Sequence, residues 1–263
     1  MTRFPALAYS LVSLAVFAAA ATSEAQTTLS AAQIVDKNIA ARGGLTAWHS
    51  VQTMTMEGTL DAGGKENHTL PFVMKLKRSH KSRLEITFKD QTSVQVYDGT
   101  LGWKVRPFLN RNEVEPFTAA EANSAQSTDE LDGPLVDYAA KGTQIELAGS
   151  DPVEGHPAYK LKLTLHNGEK RNLWIDAGTF LELKMEGEPR KVDGRLHNVA
   201  VYFRDYKTEH GLTTPRVQET AVEGVKQTYK MTISRVAVNE PMEDSLFQKP
   251  QLAALATSGP KKP

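Results

Sequence analysis

From Thr53 onward the chain repeats one pattern, short runs of alternating apolar and polar side chains cut by glycine-containing turns. Met54, Met56 and Leu60 alternate with Thr55, Glu57 and Thr59, and Phe72, Met74 and Leu76 alternate with Val73, Lys75 and Lys77. Leu84, Ile86 and Phe88 alternate with Glu85, Thr87 and Lys89, and Val94 and Val96 flank Gln95. Residues two apart share a strand face, so each run predicts a strand with one buried and one wet side. The pattern returns at Ile145/Leu147, Tyr159–Leu165, Leu173/Ile175, Leu181–Met185, Val199–Phe203, Val217–Ala221 and Tyr229–Ile233. Ala62-Gly63-Gly64, Asp98-Gly99, Asn167-Gly168, Ala177-Gly178 and Glu223-Gly224 supply the turns. About eleven short strands at near-regular spacing predict an antiparallel meander rather than βαβ units, and so a mainly β (α+β) fold.

A sheet of that size must cover its apolar face. Ser30-Ala31-Ala32-Gln33 has the spacing of a capping box and opens an Ala-rich helix with Ile34, Val35 and Ile39 on one side. Gly43-Gly44 ends it, and Leu45–His49 adds a further turn. One helix cannot cover the whole sheet, so the sheet is expected to curl around it into a half-open barrel. The inward positions then form a cavity wall of Met54, Met56, Phe72, Met74, Leu84, Ile86, Val96, Trp103, Leu163, Met185, Val201 and Met231. Five of these are methionine, a flexible and polarizable side chain that suits adaptable apolar binding surfaces. Ordinary core filling accounts for the same residues equally well.

After Val105 the alternation lapses. Pro107–Gly142 holds Pro116, an Ala-rich piece at Thr118–Ser124, a polar stretch, and then Leu131, Leu135 and Val136. A structureless loop of this length is unusual unless it has a task. One or two short helices are expected here, forming a mobile lid that rests Phe117, Leu131 and Leu135 on the groove.

Elsewhere the sequence argues by exclusion. Lysine plus arginine equal aspartate plus glutamate at 31 each, which gives no basic surplus for nucleic acid. With no cysteine, disulfides, thiolate metal sites and thiol nucleophiles are ruled out. No phosphate-binding glycine loop, His-Glu-x-x-His helix or Gly-x-Ser-x-Gly elbow is present. The histidines are scattered, and the pairs Glu113/Glu115 and Glu186/Glu188 read as solvated strand-face charge. The expectation is a non-enzymatic protein without cofactor or metal. Arg3, an apolar stretch from Ala6 to Ala21 and the small-x-small site Ser23-Glu24-Ala25 have the order of a secretory signal. That gives residues 1–25 as signal peptide, 26–250 as one domain and 251–263 as a loose tail. No later segment is apolar enough to span a membrane, and the periplasm is the expected compartment.

Beyond composition and period, several turns resemble those of the LolA-like periplasmic family, the outer-membrane lipoprotein-sorting carriers and their RseB-type relatives. They are Ala41-Arg42-Gly43-Gly44 before Val51-Gln52-Thr53-Met54, and the hairpin from Val96-Tyr97-Asp98-Gly99 to Gly102-Trp103. They continue with Leu147–Ser150, Val153–Leu161, Leu173-Trp174-Ile175-Asp176, Phe203-Arg204-Asp205-Tyr206 and the closing Leu246–Pro250. The resemblance implies a half-open antiparallel barrel with helices over its concave side. It also implies lipid or lipoprotein acyl chains as cargo, passed from an inner-membrane exporter to an outer-membrane acceptor, or a sensor role on the same fold. The carriers have an arginine on an early strand that hydrogen-bonds the lid, and the comparable residue here is Arg83.

Overall fold

The computed structural model describes residues 29–61, 63, 68–128, 130–192 and 194–251. The expected signal peptide, nearly all of the expected tail, and Ala62 and Gly64 of the first turn lie outside these residues.

Helix α1 spans Ala31–Ala41 and α2 spans Leu45–Ser50. The capping box forms: the Ser30 hydroxyl accepts from the Gln33 N–H at 3.2 Å, and the Gln33 side chain accepts from the Ser30 N–H at 2.8 Å. Gly43, at φ +114°, ends the helix against another turn, where an added Cβ would lie 2.1 Å from the Gly211 carbonyl oxygen. Only glycine fits both the backbone angle and that approach.

Among the described residues thirteen antiparallel strands follow, where about eleven were expected. The first meander is β1 (Thr53–Asp61), β2 (Thr69–Lys77), β3 (Lys81–Phe88), β4 (Gln91–Tyr97), β5 (Gly102–Arg106) and β6 (Arg111–Pro116). After α3 (Ala119–Thr128), the second is β7 (Gln144–Ser150), β8 (Ala158–Thr164), β9 (Lys170–Asp176), β10 (Glu182–Val192), β11 (Arg195–Glu209), β12 (Leu212–Val222) and β13 (Tyr229–Val238). The two join through β1 and β13 into one sheet with β6 and β7 at its edges. Strand β6 reads Arg-Asn-Glu-Val-Glu-Pro, which has no apolar alternation to reveal it. Edge strands bury little, so pairing with β5 rather than side-chain pattern defines it.

Residues directly opposite one another share a face. One row runs Met56, Met74, Leu84, Gln95, Lys104, and another runs Leu161, Leu173, Met185, Val201, Thr220. The helices lie against this inner face. Trp48 and Val51 of the α2 region pack with Met54, Phe72, Leu76, Ile233 and Val236, while Ile34 and Val35 of α1 pack with Leu161, Leu163, Leu173 and Ile175. Full burial of each such side chain contributes about 1.5–3 kcal/mol.

The expected single lid over Pro107–Gly142 is instead several elements. It begins with a 3-10 turn (Pro107–Leu109), continues as β6 and α3, and ends in consecutive turns up to Gly142. Leu135 and Val136 in those turns are fully buried, one in each of the two cores. This last stretch is therefore a wedge between the cores, a different thing from a loosely resting cover.

Strand β4 corrects two cavity-wall assignments. Val96 opposes Arg83 and Trp103, one residue out of step with the inner row through Gln95, so Val96 and Trp103 face outward. They form an outer cluster with Val94 and Val105. Both faces of β4 are covered, with Ser93 and Tyr97 also buried, and an apolar residue there does not mark the inside. Arg83 shares the outer face. Its guanidinium bonds Glu85 at 2.6 Å and donates to the Leu246 carbonyl at 3.0 Å in the C-terminal 3-10 turn Asp244–Phe247. It holds that turn and not the lid.

Candidate functional site

A cavity of about 500 Å³ lies between the inner face and the elements laid across it. Met54, Met56, Met74, Met185 and Met231 all border it, with Leu173, Val201 and Phe203. Met74 on β2 and Leu173 on β9 are six strand spacings apart, about 29 Å in a flat sheet at the usual strand separation. Both contact one cavity of this volume, so the sheet curls around it.

The expected residues divide four ways. The five methionines, Val201 and Leu131 border the main cavity. Leu84 and Phe117 border a smaller pocket of about 170 Å³ that shares Met74 with it. Phe117 sits there because its ring packs on Gly102, where even a Cβ would come within 2.0 Å of the ring. Phe72, Leu163 and Leu135 are in solid core, and half-buried Ile86 packs against the same core as Phe72. Val96, Trp103 and Arg83 belong to the outer face.

No sequence pattern marks the polar side of the cavity. Arg42, Glu182 and Tyr206 stand at the end nearest α1 and α2. The Arg42 guanidinium lies 3.3 Å from the Glu182 carboxylate and 4.4 Å from the centre of the Trp48 ring, and it donates to the Asp132 carbonyl at 3.2 Å. The Tyr206 hydroxyl donates to Glu182 at 3.0 Å. Burial, reinforced by the Glu182 charge, pushes the Tyr206 phenol well above its ordinary range, so it remains a donor. Arg42 was legible only as part of Ala-Arg-Gly-Gly. Its partners come from positions 132, 182 and 206, and no local pattern joins them.

Asp132 anchors the wedge. Its carboxylate accepts from Arg78 and Lys141, each at 2.7 Å, and Lys141 also reaches Glu130 at 2.5 Å. Burial alone would raise the Asp132 pKa, but the hydrogen bonds and charges of Lys141 and Arg78 outweigh it and hold the carboxyl below its usual value.

Helix α3 crosses the opening between the two arms of the sheet. At one end Glu121 pairs with Lys104 on β5, a lysine that is itself buried. One turn further along, Ser124 hydrogen-bonds Glu188 on β10, which also lies 3.4 Å from Arg171. Burial raises the Glu188 pKa, with Glu169 adding to it and Arg171 opposing it. These tethers are polar, and the helix has Ala125 as a buried apolar contact. Lys104→Met should therefore loosen α3 while leaving the sheet intact. The expected result is at least about tenfold faster amide exchange across Ala119–Ser124, with core-strand protection unchanged. Unchanged exchange in α3 would mean that the Lys104–Glu121 pair does not hold it.

Among the described residues no three His, Asp or Glu side chains converge as a metal-ligand set, and no helix is long and apolar enough to cross a membrane. No family model and no curated protein matches the chain in sequence. Solved structures do match in fold. A LolA superfamily protein from Nitrosomonas europaea aligns over 84% of this chain and 98% of its own, with a TM-score of 0.56 and 15% identity. A DUF1329 family protein from Desulfovibrio piger aligns over 86% and 98%, with a TM-score of 0.57 and 16% identity. A domain named for outer membrane lipoprotein sorting, from Vibrio parahaemolyticus, aligns over 85% and 97%, with a TM-score of 0.53 and 14% identity. The chain has the LolA-like fold that its turns resemble.

Proposed function

We propose that the protein is a periplasmic binding and carrier protein that shelters lipid or lipoprotein acyl chains in the methionine-lined cavity, without covalent chemistry or cofactor. The observation that carries this reading is the cavity itself. Five methionines from both arms of the curled sheet converge on one space of ligand-binding size. The fold shared with a domain named for lipoprotein sorting agrees with it.

The physical mechanism is transfer of apolar surface out of water. Each methylene moved from water onto the methionine wall is worth on the order of 0.8 kcal/mol, so a chain of several methylenes binds without a specific polar anchor. Methionine side chains adjust to different chain positions at small cost, which favours a carrier over a tight single-ligand receptor. The strap α3 is held by ionic and hydrogen-bonded contacts rather than by a large apolar face. Opening it exchanges those contacts for water and gives the chain a way in and out. Delivery to an outer-membrane acceptor then requires only that the acceptor bury the chain better.

Titration of the mature protein with an environment-sensitive acyl probe, free of metal and nucleotide, should give saturable binding that unlabelled fatty acid reverses. Absence of saturable binding would remove this reading. Native mass spectrometry of protein taken from its own envelope should show co-purified lipid.

A further inference from the structure

The sheet register leaves one pair of strand ends without neighbours. Strand β9 pairs with β10 only through Glu182–Met185, and β12 pairs with β11 only from Val199 onward. Beyond those points β10 and β11 pair with each other: Arg190 opposes His197, Lys191 opposes Leu196, and Val192 opposes Arg195. The result is a two-stranded arm that leaves the sheet beside the cavity, whose border includes Gly187, Pro189 and Arg190.

We propose that this arm docks the protein on an anionic phospholipid surface, with Leu196 entering the interface and Arg190, Lys191 and Arg195 beside the lipid phosphates. Leu196 is 74% exposed, more than any other large hydrophobic side chain among the described residues, and it contributes nothing to the core. Such side chains at a hairpin tip are costly in water and stabilising in a bilayer interface. The charges point the same way. Among the described residues Arg190, Lys191 and Arg195 have no carboxylate partner, whereas every other described arginine forms an ion pair. Arg190 instead lies over the Tyr229 ring at 5.3 Å. From Pro189 to His197 the sequence has three cationic residues and one acid, Asp193.

A second observation comes from strand direction. Antiparallel alternation puts the β5–β6 connection at the same end of the sheet as this arm, and Leu109 there is 55% exposed. Two exposed leucines and a cluster of unpaired cations thus share the end at which the arm projects. A charged surface of phosphates complements these exposed cations, and an interface beside it takes up the exposed leucines. The inference does not depend on what occupies the cavity and stands apart from the acyl-binding reading.

Co-sedimentation with vesicles tests it. The protein should bind vesicles of about three parts phosphatidylcholine to one part phosphatidylglycerol, bind phosphatidylcholine alone at least about tenfold more weakly, and release in about 0.5 M salt. The triple change Arg190→Gln, Lys191→Gln, Arg195→Gln should weaken binding to the anionic vesicles at least about tenfold. Leu196→Asp should weaken it severalfold, and both variants should keep the parent thermal midpoint because every altered side chain is exposed. Equal binding to both vesicle types, no binding to either, or full binding by the variants would overturn the proposal. Retention by an envelope protein in place of vesicles would assign the arm to a protein acceptor and overturn it as well.

Discussion

Met74→Glu should abolish most acyl-probe binding while the protein still unfolds cooperatively near its parent midpoint. Met74 is half-buried and borders both pockets, so part of its side chain faces open space while the rest packs against the core. A carboxylate at that position keeps much of its hydration when the cavity is empty. An incoming acyl chain would strip that hydration without replacing it, and at least about 2 kcal/mol of affinity, roughly thirtyfold, should be lost. The control lies two residues away on the same face. Phe72 is 3% exposed and belongs to solid core, so Phe72→Glu should unfold the protein rather than leave it folded and inactive. Denaturation followed by circular dichroism separates the two outcomes. If Met74→Glu loses cooperative unfolding, the methionine wall is core and the cavity is not a binding site. If it folds and binds the probe normally, the acyl chain lies elsewhere.

Asp132→Ala should be the most destabilising single change at a charged residue. The substitution leaves Arg78 and Lys141 facing each other across the site of a carboxylate whose side chain is 4% exposed. Breaking a fully buried pair costs about 3–5 kcal/mol, and Arg78 and Lys141 are 31% and 21% exposed, so about 2–4 kcal/mol is expected. At this chain length that corresponds to roughly 10 °C in thermal midpoint. The Leu135–Val136 wedge should show the largest gain in amide exchange. The same carboxyl gives the pH dependence its sign. Its folded pKa is depressed, so the stability it contributes is present above the ordinary aspartate value and is lost as pH falls through the folded one. The parent should therefore lose stability below about pH 4, and the variant should lose less of it there. Equal acid sensitivity in both would show that Asp132 is not the group responsible.

Both predictions turn on positions that the sequence marks unequally. Met74 was legible because it sits in step with Phe72 and Leu76 in an alternating run. Alternation follows from backbone pleat alone, which sends successive side chains to opposite faces. Asp132 carried no such mark. Its role depends on Arg78 and Lys141 converging from either side of it in the chain, and on Arg42 reaching its carbonyl. The resemblance points to Arg83 by its place on an early strand, yet the arginines that hold the wedge follow α1, at Arg42, and β2, at Arg78. An arginine's reach is long enough that strand position does not fix its partner.

Local periodicity and turn chemistry thus determined that this chain is a large antiparallel meander with a capped N-terminal helix and a methionine-rich face. Those properties are set by residues a few positions apart, whose geometry the backbone imposes. Tertiary structure alone decided which of two buried faces of β4 is the inside, and so turned Val96 and Trp103 outward. It also decided that polar Arg111–Pro116 is an edge strand, that Leu135 and Val136 are core, and that Arg42, Glu182 and Tyr206 meet at one end of the cavity. Each of these depends on what lies across the sheet from a residue, through contacts between segments distant in sequence. Period and composition are sums along the chain, and they contain no term for that partner.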